Sequence, residues 1–117
     1  MITFLKPEEQ HQHKNGGGWV ANTAIVEKSV YVALNAQVFG NAQVYGNAWV
    51  SGNAQVSDDA RVYGDAWVSG DAWVFGNAQV SDDAQVSGDA RVYGDARVSG
   101  DALGRNPVVY SGHAARH

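Results

Sequence analysis

No cysteine occurs in the 117 residues, which excludes a disulfide framework and any thiolate metal site. No apolar run approaches the roughly 18 residues that a membrane helix needs. The apolar start, Met1 to Leu5, is too short for a signal peptide, and Pro7, Glu8 and Glu9 end it. Basic residues are few: eight Lys and Arg stand against twelve Asp and Glu, for a net charge of −4. They are scattered and form no stripe, so nucleic acid is not an expected partner. These absences lead us to expect one cytoplasmic domain without a membrane segment. Histidine is missing from Val20 to Ala102; His11, His13, His113 and His117 all lie in the flanks. The same stretch holds one lysine, Lys28.

What is present is a repeat. Valine recurs at every sixth position from Val20 through Val98. Four residues after each comes a small apolar residue: Ala24, Val30, Ala36, Ala42 and onward. From Val38 to Ala102 the pattern is nearly perfect, with a Gly-Asn, Gly-Asp or Asp-Asp pair in each unit. A period of six does not suit an amphipathic helix, whose apolar stripe recurs at about 3.6 residues. It suits a short strand, Ala-x-Val-x, and a two-residue corner. Ala and Val two apart share one face of a strand. Gly, Asn and Asp tolerate the backbone angles of a corner. Such a strand buries its apolar face only when coiled, with three strands enclosing a triangular interior and successive coils stacked in parallel. The array makes between four and five coils, roughly 20–25 Å long at about 4.8 Å per coil.

Residues eighteen apart are then stacked neighbours, and the outward residues sort into three faces. The first carries Trp19, Gln37, Gln55, Trp73 and Arg91, beside Ala21, Phe39, Ser57, Phe75 and Tyr93. The second carries Ile25, Gln43, Arg61, Gln79 and Arg97, beside Glu27, Tyr45, Tyr63, Ser81 and Ser99. The third carries Tyr31, Trp49, Trp67 and Gln85, beside Ala33, Ser51, Ser69 and Ser87. The third face is an aromatic column flanked by small residues, flat and apolar, as interfaces are. The corner residues form ladders as well: Asn41, Asp59, Asn77, Asp95 on one edge, and Asn47, Asp65, Asp83, Asp101 on the next. Turn formation explains Asn and Asp there without a bound cation.

The unbroken period of six, over Val20 to Ala102, resembles the bacterial transferase hexapeptide family. The resemblance implies an all-β, left-handed parallel β-helix with three strands per coil; the handedness comes from the resemblance alone. It divides the chain into an N-terminal cap at residues 1–18, the β-helix at 19–103, and a C-terminal cap or tail at 104–117. Many family members are trimeric acyltransferases that use acetyl-CoA, with a histidine near a subunit boundary as base and loops shaping the site. A related branch, the γ-class carbonic anhydrases, holds zinc with histidines on the coils. This chain departs from both, because its array has neither histidine nor interrupting loop, and a general base must reach its substrate. The array and the lead-in, His11-Gln12-His13 followed by Gly16-Gly17-Gly18, look more like uncharacterised hexapeptide proteins of bacteria, phages and prophages.

The flanks hold the remaining chemistry. His11 and His13 alternate on an expected strand, where two imidazoles on one face would be weak candidates for a metal; the expectation is a solvated cap and no metal. The triple glycine is read as either a flexible joint or a tight crossing over the coil end. After Ala102 the hexapeptide register fails, and Pro107 cannot donate to a ladder. The function expected is non-enzymatic binding, without a cofactor: a phage or prophage accessory factor that blocks a host protein or sequesters a small ligand. The alternatives are an acetyl-CoA-dependent acyltransferase and a self-assembling structural module. A homotrimer is expected through Tyr31, Trp49 and Trp67, with Gln85 ending the column. Otherwise that face awaits another partner, and Trp73, Phe75 and Tyr93 make the oligomer.

Overall fold

The computed structural model describes residues 2–100 and, beyond them, the strand backbone of Leu103–Gly104, Val109–Ser111 and Ala114–Ala115. Asp101, Ala102, Pro107, His113 and His117 lie outside the described residues. The chain forms a parallel β-solenoid of three sheets, with no α-helix among the described residues.

The first sheet stacks Trp19–Ala21, Gln37–Val38, Gln55–Val56, Trp73–Val74, Arg91–Tyr93 and Val109–Ser111. The second stacks Ile25–Val26, Gln43–Val44, Arg61–Val62, Gln79–Val80, Arg97–Val98 and Ala114–Ala115. The third stacks Tyr31–Val32, Trp49–Val50, Trp67–Val68, Gln85–Val86 and Leu103–Gly104. Register follows the repeat: Trp49 lies opposite Trp67, and Val50 opposite Val68. The ladder runs from strand into corner on each coil, as in Gln43 N to Ala60 O (2.9 Å), Tyr45 N to Val62 O (3.0 Å) and Asn47 N to Gly64 O (2.9 Å). Strand pairing runs on past the point where the hexapeptide pattern ends: Gln85 faces Leu103, Arg91 faces Val109 and Arg97 faces Ala114. Backbone hydrogen bonds need no Val or Ala side chain, so pairing outlasts the side-chain pattern.

The interior is the valine and alanine series. Val32 through Val98 and Ala36 through Ala96 are fully buried at each repeat position. Val26 departs from the expectation that every valine from Val20 lies inside, being half-buried. No strand of the second sheet lies beneath it.

At the corners, glycines sit at positive φ, for instance 67° at Gly40 and 65° at Gly70. The Asp-Asp units put Asp58 and Asp82 at the same place, each with φ 59°. An aspartate tolerates this left-handed backbone better than most residues. Here each also gains a hydrogen bond: Asp58 Oδ2 accepts from Gly76 N (3.1 Å) and Asp82 Oδ2 from Gly100 N (3.3 Å).

The N-terminal segment lies against the first coil. Gln10–Gln12 pairs antiparallel with Trp19–Ala21, covering the edge of the first sheet. The triple glycine is the tight crossing: a Cβ on Gly16 would fall 2.2 Å from Val32 O, and one on Gly18 would fall 2.4 Å from Ala33 O. Gln10 ties down the first residues. Its Oε1 accepts from Ile2 N (2.7 Å), and its Nε2 donates to the carbonyls of Ile2 (3.1 Å) and Leu5 (3.1 Å). Both Gln10 and Ile2 are buried. Gln10→Ala strands those groups, a loss of about 1–3 kcal/mol. The expected result is faster amide exchange at Ile2 with unchanged protection in the coils around Val68; unchanged exchange at Ile2 would contradict it.

Candidate binding surface

On the third face the aromatic column forms as the register requires. Trp49 and Trp67 stack with centroids 5.1 Å apart and planes 8° from parallel. Tyr31 continues the stack, 4.8 Å from Trp49 and tilted by 33°. Stacked rings at about this separation contribute roughly 0.5–1.5 kcal/mol beyond their burial, which favours this arrangement of the column. Trp49 and Trp67 remain 42% and 45% exposed. Ser51, Ser69 and Ser87 beside them are half-buried and do not project as far. Gln85 pairs with Trp67 in the ladder and ends the column with an exposed amide.

Trp73, Phe75 and Tyr93 come together on the first face, but in a different arrangement. Phe75 packs edge-on to Trp73 at 5.9 Å and stacks on Tyr93 at 5.1 Å. The Arg91 guanidinium lies 5.8 Å from the Trp73 centroid, within reach of a cation–π attraction. Trp73 nevertheless remains 43% exposed, as much as Trp49, with the arginine beside its ring. Below them Phe4 packs edge-on against Phe39 at 5.0 Å, pinning the N-terminal segment to this face. That contact was not legible in the sequence, because Phe4 lies outside the repeat.

The second face is wet. Tyr45 and Tyr63 stack at 5.0 Å. Next to them an open polar groove of about 350 Å³ is lined by Asn41, Gln43, Asp59, Arg61, Asn77 and Gln79. Its sequence signal is the Gln43, Arg61, Gln79 column adjoining the first corner ladder, although spacing alone does not show that the two enclose a groove. In the two ladders, and between Asn53 and Asp71 on the third edge, amides meet carboxylates only loosely: Asn47 to Asp65 at 3.4 Å, Asn77 to Asp95 at 3.5 Å and Asn53 to Asp71 at 3.3 Å.

The two N-terminal histidines are not gathered as a pair of ligands. His11 is exposed, and its Nδ1 donates to Asn22 Oδ1 (2.7 Å). His13 is buried, and its Nε2 donates to the Val30 carbonyl (2.6 Å). The strand ends at Gln12, so the alternation that would give both imidazoles one face stops between them. Among the described residues no three His, Cys, Asp or Glu side chains group as metal ligands. No helix among them is long and apolar enough to cross a membrane.

A family model described as YdcK beta solenoid repeat matches residues 36–52, 42–57, 54–70, 84–100 and 90–103. No curated protein and no solved structure matches the chain. The matches carry no transferase, coenzyme or phage assignment. They fall on the units whose strands stack in register, and together with that stacking they make the chain a β-solenoid repeat protein.

Proposed function

We propose that this solenoid is a non-catalytic binding module that associates through its third face, as a homotrimer with the solenoid axes roughly parallel. The observation that carries this is the Tyr31–Trp49–Trp67 stack, half exposed and bordered by serines that leave it open to close approach. Each large aromatic offers about 150–250 Å² of surface for burial. Leaving a ladder of them in water favours association. The first-face cluster ranks second: Trp73 is as exposed as Trp49, at 43%, but the Arg91 guanidinium lies over its ring and would have to be displaced or desolvated by a second copy. The module works in the cytoplasm. If a different protein covers the face in place of a second copy, the resemblance to phage and prophage repeat proteins makes a host protein the partner.

Light scattering tests this reading. The wild type is expected at the trimer mass, and Trp49→Ser/Trp67→Ser at the monomer mass with an unchanged β spectrum. A monomeric wild type removes the oligomer. An unchanged oligomer in the double variant moves the contact to Trp73, Phe75 and Tyr93 and leaves the third face to another partner.

A further inference from the structure

Three valines occupy equivalent places in the first coil, one per sheet: Val20, Val26 and Val32. In a parallel ladder alternate residues point their N–H and C=O groups to opposite neighbours. Ile25 N donates to Ala42 O (2.9 Å) and Glu27 N to Val44 O (3.0 Å), both toward the next coil. The Val26 N–H and C=O therefore point the other way, past the end of the solenoid. Val20 and Val32 point that way too, and the N-terminal segment meets both. Val20 pairs with His11, between the bonds His13 N to Gly18 O (2.7 Å) and Asn22 N to Glu9 O (2.8 Å). Val32 N donates to Asn15 O (3.0 Å), and Val32 O accepts from Gly18 N (2.9 Å). Val26 has no such partner among the described residues: Ile25–Val26 is the terminal strand of its sheet, paired only with Gln43–Val44.

The space beside this strand is a groove of about 460 Å³ lined by His11, Gln12, His13, Lys14, Val26 and Lys28. Val26 is its apolar floor, half-buried. Lys14 and Lys28 are exposed at its rim. The chain has three lysines in all, Lys6, Lys14 and Lys28, and two of them stand here on a protein of net charge −4. Glu27 does not neutralise them freely, since its Oε1 accepts from Gly46 N (2.8 Å).

We propose that this edge takes an extended, acidic peptide strand from a partner protein, added beside Ile25–Val26. The partner's backbone bonds the Val26 N–H and C=O, an apolar side chain turns in over Val26, and the alternate acidic side chains turn out toward Lys14 and Lys28. This is strand addition at an open sheet edge, with main-chain bonds supplying affinity and side chains supplying choice. A second copy is the poorer occupant. Two such edges paired about a twofold axis would set Lys14 and Lys28 against their own copies. The surface is distinct from the third face, and neither proposal depends on the other.

Amide exchange and titration by nuclear magnetic resonance test it on the full chain. The probe is an acetylated hexapeptide alternating valine and glutamate, at millimolar concentration. In the free protein the Val26 amide is expected to exchange rapidly, while Val20 and Val32 are protected. The probe should slow Val26 exchange and shift the Ile25 and Val26 amide signals. A probe N-methylated at alternate amides should not, nor should one with lysine for glutamate. Lys14→Glu/Lys28→Glu keeps the fold, both residues being exposed, and should weaken binding about tenfold or more. Protection of Val26 in the free protein would overturn the proposal, as would equal binding by the charge-reversed variant or by the N-methylated probe. Protection of Val26 that rises with protein concentration alone would assign the edge to a second copy and overturn it also.

Discussion

Val68→Asp is expected to unfold the middle coils. Val68 is fully buried and lies in register between Val50 and Val86 on the third sheet. Every neighbour it has inside the coil is valine or alanine, so the carboxylate would meet neither a cation nor a donor. Burying an unpaired charge costs several kcal/mol even after the surroundings relax. A domain has in all about 5–15 kcal/mol to lose. A solenoid is weaker still against such a change, because each coil contacts only the coils on either side. A failure at one coil therefore separates the two halves. Val68→Ala serves as the comparison, leaving a small cavity and losing about 2 kcal/mol. Thermal denaturation followed by circular dichroism should show the alanine variant folded with a lowered midpoint, and the aspartate variant without a cooperative transition. An aspartate variant that melts within a few degrees of wild type would mean that the interior is not dry.

The second large effect concerns a corner. Gly70 has φ 65°. A Cβ placed there would lie 2.9 Å from Gly88 N and 3.1 Å from Gly88 O, both backbone atoms of the next coil. Gly70→Val combines a branched side chain at positive φ with that contact, and is expected to destabilise by about 3 kcal/mol or more. The same place in other columns is held by Asp58 and Asp82, which set the order of tolerance. Their carboxylates accept the amide of the coil above, so Gly70→Asp is expected to lose least, by accepting from Gly88 N. Gly70→Ala should fall between, having the Cβ without the acceptor. Urea denaturation of the three variants reads the order directly. Alanine as stable as aspartate would show that the hydrogen bond contributes nothing at these corners.

Much of this architecture is legible in the residues. Valine every six positions, with alanine four later, specifies which side chains are inside, and the spacing of eighteen specifies which outward residues stack. Trp49 on Trp67, Tyr45 on Tyr63 and Phe75 on Tyr93 all follow from that spacing. The sheets add one point at the C-terminal side: pairing continues to Ala114–Ala115 although the side-chain pattern stops. The pattern reports core filling, while backbone bonds need only an extended chain beside an edge.

The N-terminal segment is the opposite case. His11 and His13 read as alternate positions on one strand, yet one ring reaches Asn22 and the other is buried on Val30. Gln10 reads as a polar surface residue and is instead the buried clamp on Ile2. Nothing periodic links these partners, which come from different sheets and from outside the array.

The repeat by itself determines the solenoid, its core and the aromatic column, because a translational rule within one chain needs only local spacing. Where the N-terminal segment crosses the first coil, and hence which edge it leaves open at Val26, is decided by the tertiary structure alone. There the contacts are made once, between segments with no common period, and the crossing at Gly16 and Gly18 depends on glycine backbone approaching Val32 and Ala33 more closely than a Cβ would allow.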